Sequence, residues 1–219
     1  MLFMFNHESI IIWDWNGTLL NDVNICIKIM NKILNKRGLE SLSIRRYRKI
    51  FQFPVIEYYK QLGFDFRKDS FENLSIEFVG EYYKELKNAY LFKYSKNVLK
   101  VIKARKYLQI IISAMKQDAL TESLNAKGVL HYFDYIIGLN DHYANSKVNF
   151  AVSFIKKNNI YPEKAILIGD TTHDFEVAEA LGCRCLLIAN GHQDYERLAL
   201  TGAPVKRNLK GILGLIGKL

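Results

Sequence analysis

Ile10-Ile11-Ile12-Trp13-Asp14-Trp15-Asn16-Gly17-Thr18-Leu19-Leu20 is the stretch that decides how the rest of this chain is read. Its apolar, β-branched start predicts a short strand buried on both faces. Asp14 falls at the carboxyl end of that strand, where open α/β sheets place their binding crevice. Gly17 permits a tight turn with unusual backbone angles, and Thr18 sets a hydroxyl beside it. A carboxylate in this position serves as a nucleophile, as a metal ligand, or only as the cap of a turn. The stretch alone leaves all three open.

After Leu20 the pattern becomes helical. Asn21 or Asp22 is suited to cap a helix, and Val23, Ile27, Met30, Ile33 and Leu34 recur at helical spacing up to Gly38. Further helices are predicted over 44–51, 55–62 and 70–90, so residues 20–92 read as all-helical. Beyond them the chain alternates. Helices over 95–105, 117–127, 146–157 and 174–181 separate strands at 108–112, 135–138, 165–168 and 184–188. A small strand near Val205 and an apolar helix over 209–219 close the chain. Strand–helix alternation predicts a parallel sheet covered by helices on both faces. The expected architecture is therefore α/β: a Rossmann-like core from residues 1–19 and 93–219, interrupted by a helical insertion of residues 20–92.

Composition narrows the function classes. At 219 residues and 49% hydrophobic, the chain can bury a sizeable core, which argues against wholesale disorder. The net charge of +9 suits anionic partners, yet no block of lysine and arginine or arginine–aromatic repeat stands out, so nucleic acid is not the expected partner. Arg45, Arg46, Arg48 and Lys49 read as a solvated basic helix face before they read as contacts to an anionic substrate. The odd count of three cysteines (Cys26, Cys183 and Cys185) points to reduced thiols in a cytoplasmic compartment. No apolar run reaches membrane-spanning length, and Met1–Phe5 is too short for a signal-peptide core.

Three strand ends carry polar residues: Asp14, Ser113 and Asp170. In a parallel sheet all carboxyl ends share one edge, so residues far apart in sequence converge there. Lys147 opens a helix after a polar loop, and Asp174 follows Asp170 by one helical turn. Carboxylates for a divalent cation, a hydroxyl and a lysine suit an anion with several oxygens, above all a phosphoryl group.

The pattern resembles the haloacid dehalogenase-like superfamily of phosphohydrolases over essentially the whole chain. Its motifs are matched by Asp14-Trp15-Asn16-Gly17-Thr18-Leu19, by Ser113, by Lys147 and by Gly169-Asp170-Thr171-Thr172-His173-Asp174. The insertion at 20–92 is similar to the C1-type helical cap of phosphoglycolate phosphatase-like and β-phosphoglucomutase-like members. This resemblance implies that Asp14 attacks phosphorus and forms an aspartyl-phosphate that water hydrolyses. It implies Mg²⁺ held by Asp14, the backbone carbonyl of Asn16 and Asp170, with Asp174 acting directly or through water. It implies that Ser113, Lys147 and backbone amides near Gly17 and Ala114 neutralise the phosphoryl oxygens, with Thr18 in the same loop. The expected partner is a small phosphorylated metabolite.

One departure matters. Most family phosphatases carry an aspartate two residues after the nucleophile, acting as general acid and then base; here it is Asn16. An amide cannot exchange a proton in that role, and such help is worth about 10²–10⁴-fold. The alternatives are a preference for good leaving groups such as acyl or aryl phosphates, a slow phosphatase, a phosphate-binding protein that retains the site, or an otherwise ordinary phosphatase in which Asn16 was introduced or is tolerated. A phosphonatase-like enzyme needs a cap lysine, for which Lys28, Lys32 and Lys36 are available. A dehalogenase-like enzyme needs no metal, which fits the Asp170–Asp174 pair less well.

Overall fold

The computed structural model describes residues 10–139 and 147–216. Strand β1 (Ile10–Trp13) is buried over its full length. A two-residue strand, β2 (Leu20–Asn21), leads into four helices: α1 (Val23–Asn35), α2 (Ile44–Ile50), α3 (Val55–Gln61) and α4 (Phe71–Glu85). β3 (Tyr90–Leu91) returns antiparallel to β2. Alternation follows through α5 (Ser95–Ala104), β4 (Leu108–Lys116), α6 (Gln117–Ala126), β5 (Tyr135–Leu139) and α7 (Lys147–Lys157). The last elements are β6 (Ala165–Gly169), α8 (Thr172–Leu181), β7 (Arg184–Ile188), α9 (Tyr195–Ala199), β8 (Val205–Lys206) and α10 (Ile212–Ile216).

Six strands form one parallel sheet in the order β5-β4-β1-β6-β7-β8. The chain begins at the centre, builds outward on one side through β4 and β5, and then on the other through β6. The strand order thus reverses around β1, and a crevice opens at the carboxyl ends of β4, β1 and β6. Side chains alternate across the sheet as the strand pleat requires. Ile10 and Ile12 pack with Ala151, Ile155, Val177 and Ala178 from α7 and α8. Ile11 and Trp13 face the opposite layer, with Leu99, Ile102, Leu120 and Leu124 from α5 and α6. That second cluster continues without a break into α1–α4, so the insertion and the sheet share one core.

Several elements differ from the sequence reading. Residues 20–92 are not wholly helical, because β2 and β3 pair at the base of the insertion (Leu20 with Leu91, Asn21 with Tyr90). Two-residue strands carry too little alternation to read. β4 continues past Ser113 to Lys116, with a shift of register against β5 beyond Ile112. The short helix α9, capped by Asp194 accepting from the Arg197 amide at 3.0 Å, was not expected. The expected helix start at 146 and the chain end at 217–219 lie outside the described residues.

Candidate active site

β1 sets Asp14 at the crevice, and two indoles hold the strand end in place. Trp13 Nε1 donates to Gln109 Oε1 at 3.1 Å, and Trp15 Nε1 to Ser123 Oγ at 3.2 Å. Both rings are fully buried, and neither lines the crevice. Lys147, in the first turn of α7, directs its ammonium at the carboxylates. Its Nζ donates to Asp14 Oδ1 and, at 2.6 Å, to Asp174 Oδ1. All three side chains are buried.

At the other side, β6 ends in Gly169 and passes Asp170 to the start of α8. Thr171 caps that helix in a capping box: its hydroxyl accepts from the Asp174 amide, and the Asp174 carboxylate accepts from the Thr171 amide. Asp174 Oδ2 also accepts from the Asp170 amide at 3.2 Å and the Thr171 amide at 3.0 Å. Both oxygens of Asp174 are therefore engaged, one on Lys147 and one on the loop. Thr18 Oγ1 lies 3.1 Å from Asp14 Oδ2 and 3.0 Å from Asp170 Oδ1, so its single proton serves two carboxylates. Gly17 has φ +75°, and a Cβ there would meet Asp170 Oδ2 at 2.3 Å. Any larger residue would displace that carboxylate.

The expected substrate-binding set divides. Ser113, Ala114 and Lys147 line a cavity of about 230 Å³ above Asp14; Gly17 and Thr18 do not. The Gly17 amide donates to Leu20 O at 2.9 Å and Asp22 Oδ1 at 3.0 Å. Ser113 Oγ donates to Asn16 Oδ1 at 3.3 Å. Lys28, Lys32 and Lys36 pair with Glu85, Glu81 and Glu77 on the outer surface between α1 and α4, away from the cavity. Arg46 pairs with Glu40, and Arg48 donates to the Gly191 and Asn190 carbonyls.

Asp22 and His192 were not foreseen as site residues. Asp22 precedes α1 but makes no capping bond with its side chain. It turns inward instead, accepting from Asn16 Nδ2 at 3.0 Å and Tyr82 OH at 2.7 Å, and lies 3.3 Å from His192 Nε2. The other ring nitrogen of His192 meets Tyr47 OH at 2.7 Å, and its backbone amide donates to Asp170 Oδ2 at 2.6 Å. Asn16 Nδ2 also donates to Tyr82 OH at 2.7 Å. Nothing in the sequence links these positions; an aspartate before an apolar helix reads as a cap, and a histidine in a loop reads as a loop residue.

Burial and charge act on these groups in opposite senses. Desolvation pushes Asp14 up to about 6, with the Asp174 charge adding to it and Lys147 opposing. Asp170 is pushed up to about 8, mainly by burial and then by its carboxylate neighbours, against the pull of His192. Burial also disfavours ionised Asp174 and Asp22, but Lys147 with the Thr171 hydrogen bonds at the first, and His192 with the Tyr82 and Asn16 hydrogen bonds at the second, together bring both carboxyls below their usual range. Desolvation of the His192 ring opposes its charge, but Asp22 together with Asp170 and Asp14 overcomes it and holds the imidazole up at about 9.

Oxygens of Asp14, Asp170 and Asp174 lie within 4.8 Å of one another. Lys147 reaches only two of the three, and Asp170 has no ammonium or guanidinium bonded to it among the described contacts. Hard oxygen donors with excess negative charge fit a small divalent cation such as Mg²⁺.

A buried carboxylate at the end of a central parallel strand, beside a lysine and two more aspartates and beneath a helical insertion, defines a class of doubly wound α/β protein with an acidic crevice. The chain belongs to the haloacid dehalogenase-like hydrolases, whose family profile matches residues 11–188. It is accordingly a hydrolase. A phosphoglycolate phosphatase from Aquifex aeolicus (strain VF5) is 24% identical over 188 residues, covering 84% of this chain and 85% of that protein. Among solved structures, a haloacid dehalogenase-like family protein from Streptococcus pneumoniae superposes with a TM-score of 0.80 at 21% identity, covering 94% and 97% of the two chains. A protein from Clostridium acetobutylicum described as a predicted phosphatase gives 0.82 at 18% identity, covering 98% and 100%. No helix among the described residues is long and apolar enough to cross a membrane.

Proposed function

We propose that the chain is a Mg²⁺-dependent phosphohydrolase of small phosphorylated metabolites in which residues 20–92 form the cap. The observation that carries this reading is the Lys147 ammonium bridging Asp14 and Asp174 at the floor of the cavity. Asp14, pushed up to about 6 by burial with the Lys147 ammonium opposing, is placed to attack phosphorus. Its carboxylate oxygen forms the new bond while the leaving oxygen departs with the old one; water then cleaves the aspartyl-phosphate. Lys147 and Ser113 neutralise charge on the phosphoryl oxygens. When bound, Mg²⁺ supplies further neutralisation there, held by Asp14, the Asn16 carbonyl and Asp170. Asp174 acts mainly by orienting Lys147 and the α8 loop, since both of its oxygens are engaged. Three free cysteines support a cytoplasmic setting, and the names of relatives support a phosphate ester as substrate. Nucleic acid is not among the partners we propose.

Release of inorganic phosphate from acyl, aryl and alkyl phosphates, measured with and without Mg²⁺, tests this reading. Turnover that vanishes in Asp14→Asn and in EDTA supports it; undiminished turnover in Asp14→Asn refutes the nucleophile. A second reading, a catalytically weak phosphate-binding protein, is favoured by the Asn16 amide, both of whose hydrogens are held by Asp22 and Tyr82. Phosphate binding without turnover in the wild type, with turnover gained in Asn16→Asp, would select it.

A further inference from the structure

We propose that the leaving group this site accepts is a single aromatic ring bearing a hydrogen-bonding substituent, so that the substrate is an aryl phosphate. The inference rests on the phosphohydrolase reading and names its substrate class. Above the carboxylates, the cavity wall contributed by the insertion is built of Phe53, Tyr58, Tyr59, Phe78, Tyr82 and Tyr83. Among the described residues, Lys147 is the only lysine or arginine that lines the cavity, and it belongs to the phosphoryl end. The two histidines on the wall are already bonded, His192 to Asp22 and Tyr47, and His173 to Glu176. Among the described residues, therefore, no lysine or arginine faces the leaving group, and the charge of the His192 imidazole is already matched by the Asp22 carboxylate 3.3 Å away. An anionic leaving group such as a carboxylic acid would be desolvated there without a partner.

Size and polarity agree with a ring. A cavity of roughly 150 Å³ accepts benzene, so about 230 Å³ holds one ring together with a phosphoryl group. Tyr58 lines the same wall, is 2% exposed, and its hydroxyl has no hydrogen-bond partner. Burial raises its pKa, so it remains a neutral phenol able to bond one polar substituent on the ring.

The chemistry at Asn16 points the same way. Phenols ionise near 10, as tyrosine does, whereas aliphatic alcohols lie close to water and are far weaker acids. When Asp14 forms its bond to phosphorus, the P–O bond breaks with its electron pair on the departing oxygen. An aryloxide leaves in that form and takes its proton from solvent afterwards, so no general acid is needed. Water then attacks the aspartyl-phosphate, freeing the Asp14 carboxylate and inorganic phosphate and losing its proton to solvent.

Because aryl esters are intrinsically reactive, the test separates binding from turnover. Affinities of wild-type protein with Mg²⁺ for phenylphosphonate and 3-phosphonopropionate, neither of which can be hydrolysed, are compared by calorimetry. Phenylphosphonate should bind at least about ten-fold tighter, and Val79→Lys, which brings an ammonium to the wall, should narrow or invert the ratio while the melting temperature is kept. In turnover, a preference of roughly five-fold for 4-hydroxyphenyl over phenyl phosphate should disappear in Tyr58→Phe. Equal or tighter binding of 3-phosphonopropionate overturns the inference whatever the turnover. No turnover on any ester, with phenylphosphonate still favoured, overturns the phosphohydrolase reading and leaves the ring pocket standing.

Discussion

Asn16 is fitted to its neighbours in a way that an aspartate would not be. Its amide donates to Asp22 Oδ2, and Asp22 is an ionised carboxylate held by His192. An aspartate at 16 would set two carboxylates together, and the pair would keep one proton between them. That proton is what a general acid requires. Asn16→Asp should therefore raise kcat on alkyl phosphates by about 10²–10⁴-fold while lowering the melting temperature; adding Asp22→Asn should recover stability and reduce the gain. A double-mutant cycle on kcat and melting temperature reads this coupling, and independent, additive effects would show that the two side chains do not share a proton. Asp14→Asn should lower phosphate release by more than about 10³-fold without loss of fold, measured by single-turnover assay beside circular dichroism.

At the scale of elements, the segment that decides access is α2 with the turn that follows it. Arg48 donates to Gly191 O at 2.9 Å and Asn190 O at 2.8 Å. Arg197 donates to the Lys49 and Phe51 carbonyls at 3.0 Å each, and Gln193 to Phe51 O at 2.9 Å. Together with the Tyr47–His192 bond, these fasten the insertion to the loop after β7 and to α9. Removing Arg48 as Ala should raise KM about ten-fold with a smaller change in kcat, since hydrogen bonds of a charged donor contribute roughly 1.5–3 kcal/mol. Amide exchange over 44–51 should quicken in the same variant; unchanged exchange would mean that Arg48 does not fasten α2. The buried His192–Asp22 pair adds a pH dependence. His192 rises from 6.5 to about 9 on folding, so its contribution is complete below about 6.5 and is lost as pH rises through about 9. Asp22 lies below the ordinary 3.8 of an aspartate, so its share is present above 3.8 and is lost only in stronger acid. Metal-free protein should therefore lose melting temperature between pH 7 and 10, and His192→Gln should lose less over that range.

For the molecule as a whole, the two buried carboxyls that are pushed up, Asp14 and Asp170, oppose folding when no cation balances them. Asp170 shows this most, since a carboxyl raised to about 8 contributes repulsion that grows as pH climbs from its unfolded value. Asp170→Asn should thus raise the melting temperature of metal-free protein and abolish the further rise that Mg²⁺ gives the wild type. At a hundred times its dissociation constant, a bound ion adds about 2.7 kcal/mol. A Mg²⁺-induced rise that persists in Asp170→Asn would remove this residue from the metal site. Scanning calorimetry with EDTA or Mg²⁺ distinguishes the cases.

Much of this protein was determined by patterns local to the chain. The buried run Ile10–Trp13, the helical spacings from Val23 onward and the strand–helix alternation after Ser95 report periodicities of two and 3.6, which the backbone geometry imposes on any sequence that buries one face. Parallel strands then place Asp14, Ser113 and Asp170 on one edge, so the composition of the crevice was legible before its geometry. Only the tertiary structure decided what surrounds it. The β2–β3 pair and α9 are too short to carry a period. The turning of Asp22 away from its helix, the charge on His192 and the orientation of Asn16 depend on contacts between α1, α2, α4 and the loop after β7. Electrostatic partners in a buried site are chosen by distance in space and by the water excluded around them, and neither quantity is written in the order of residues.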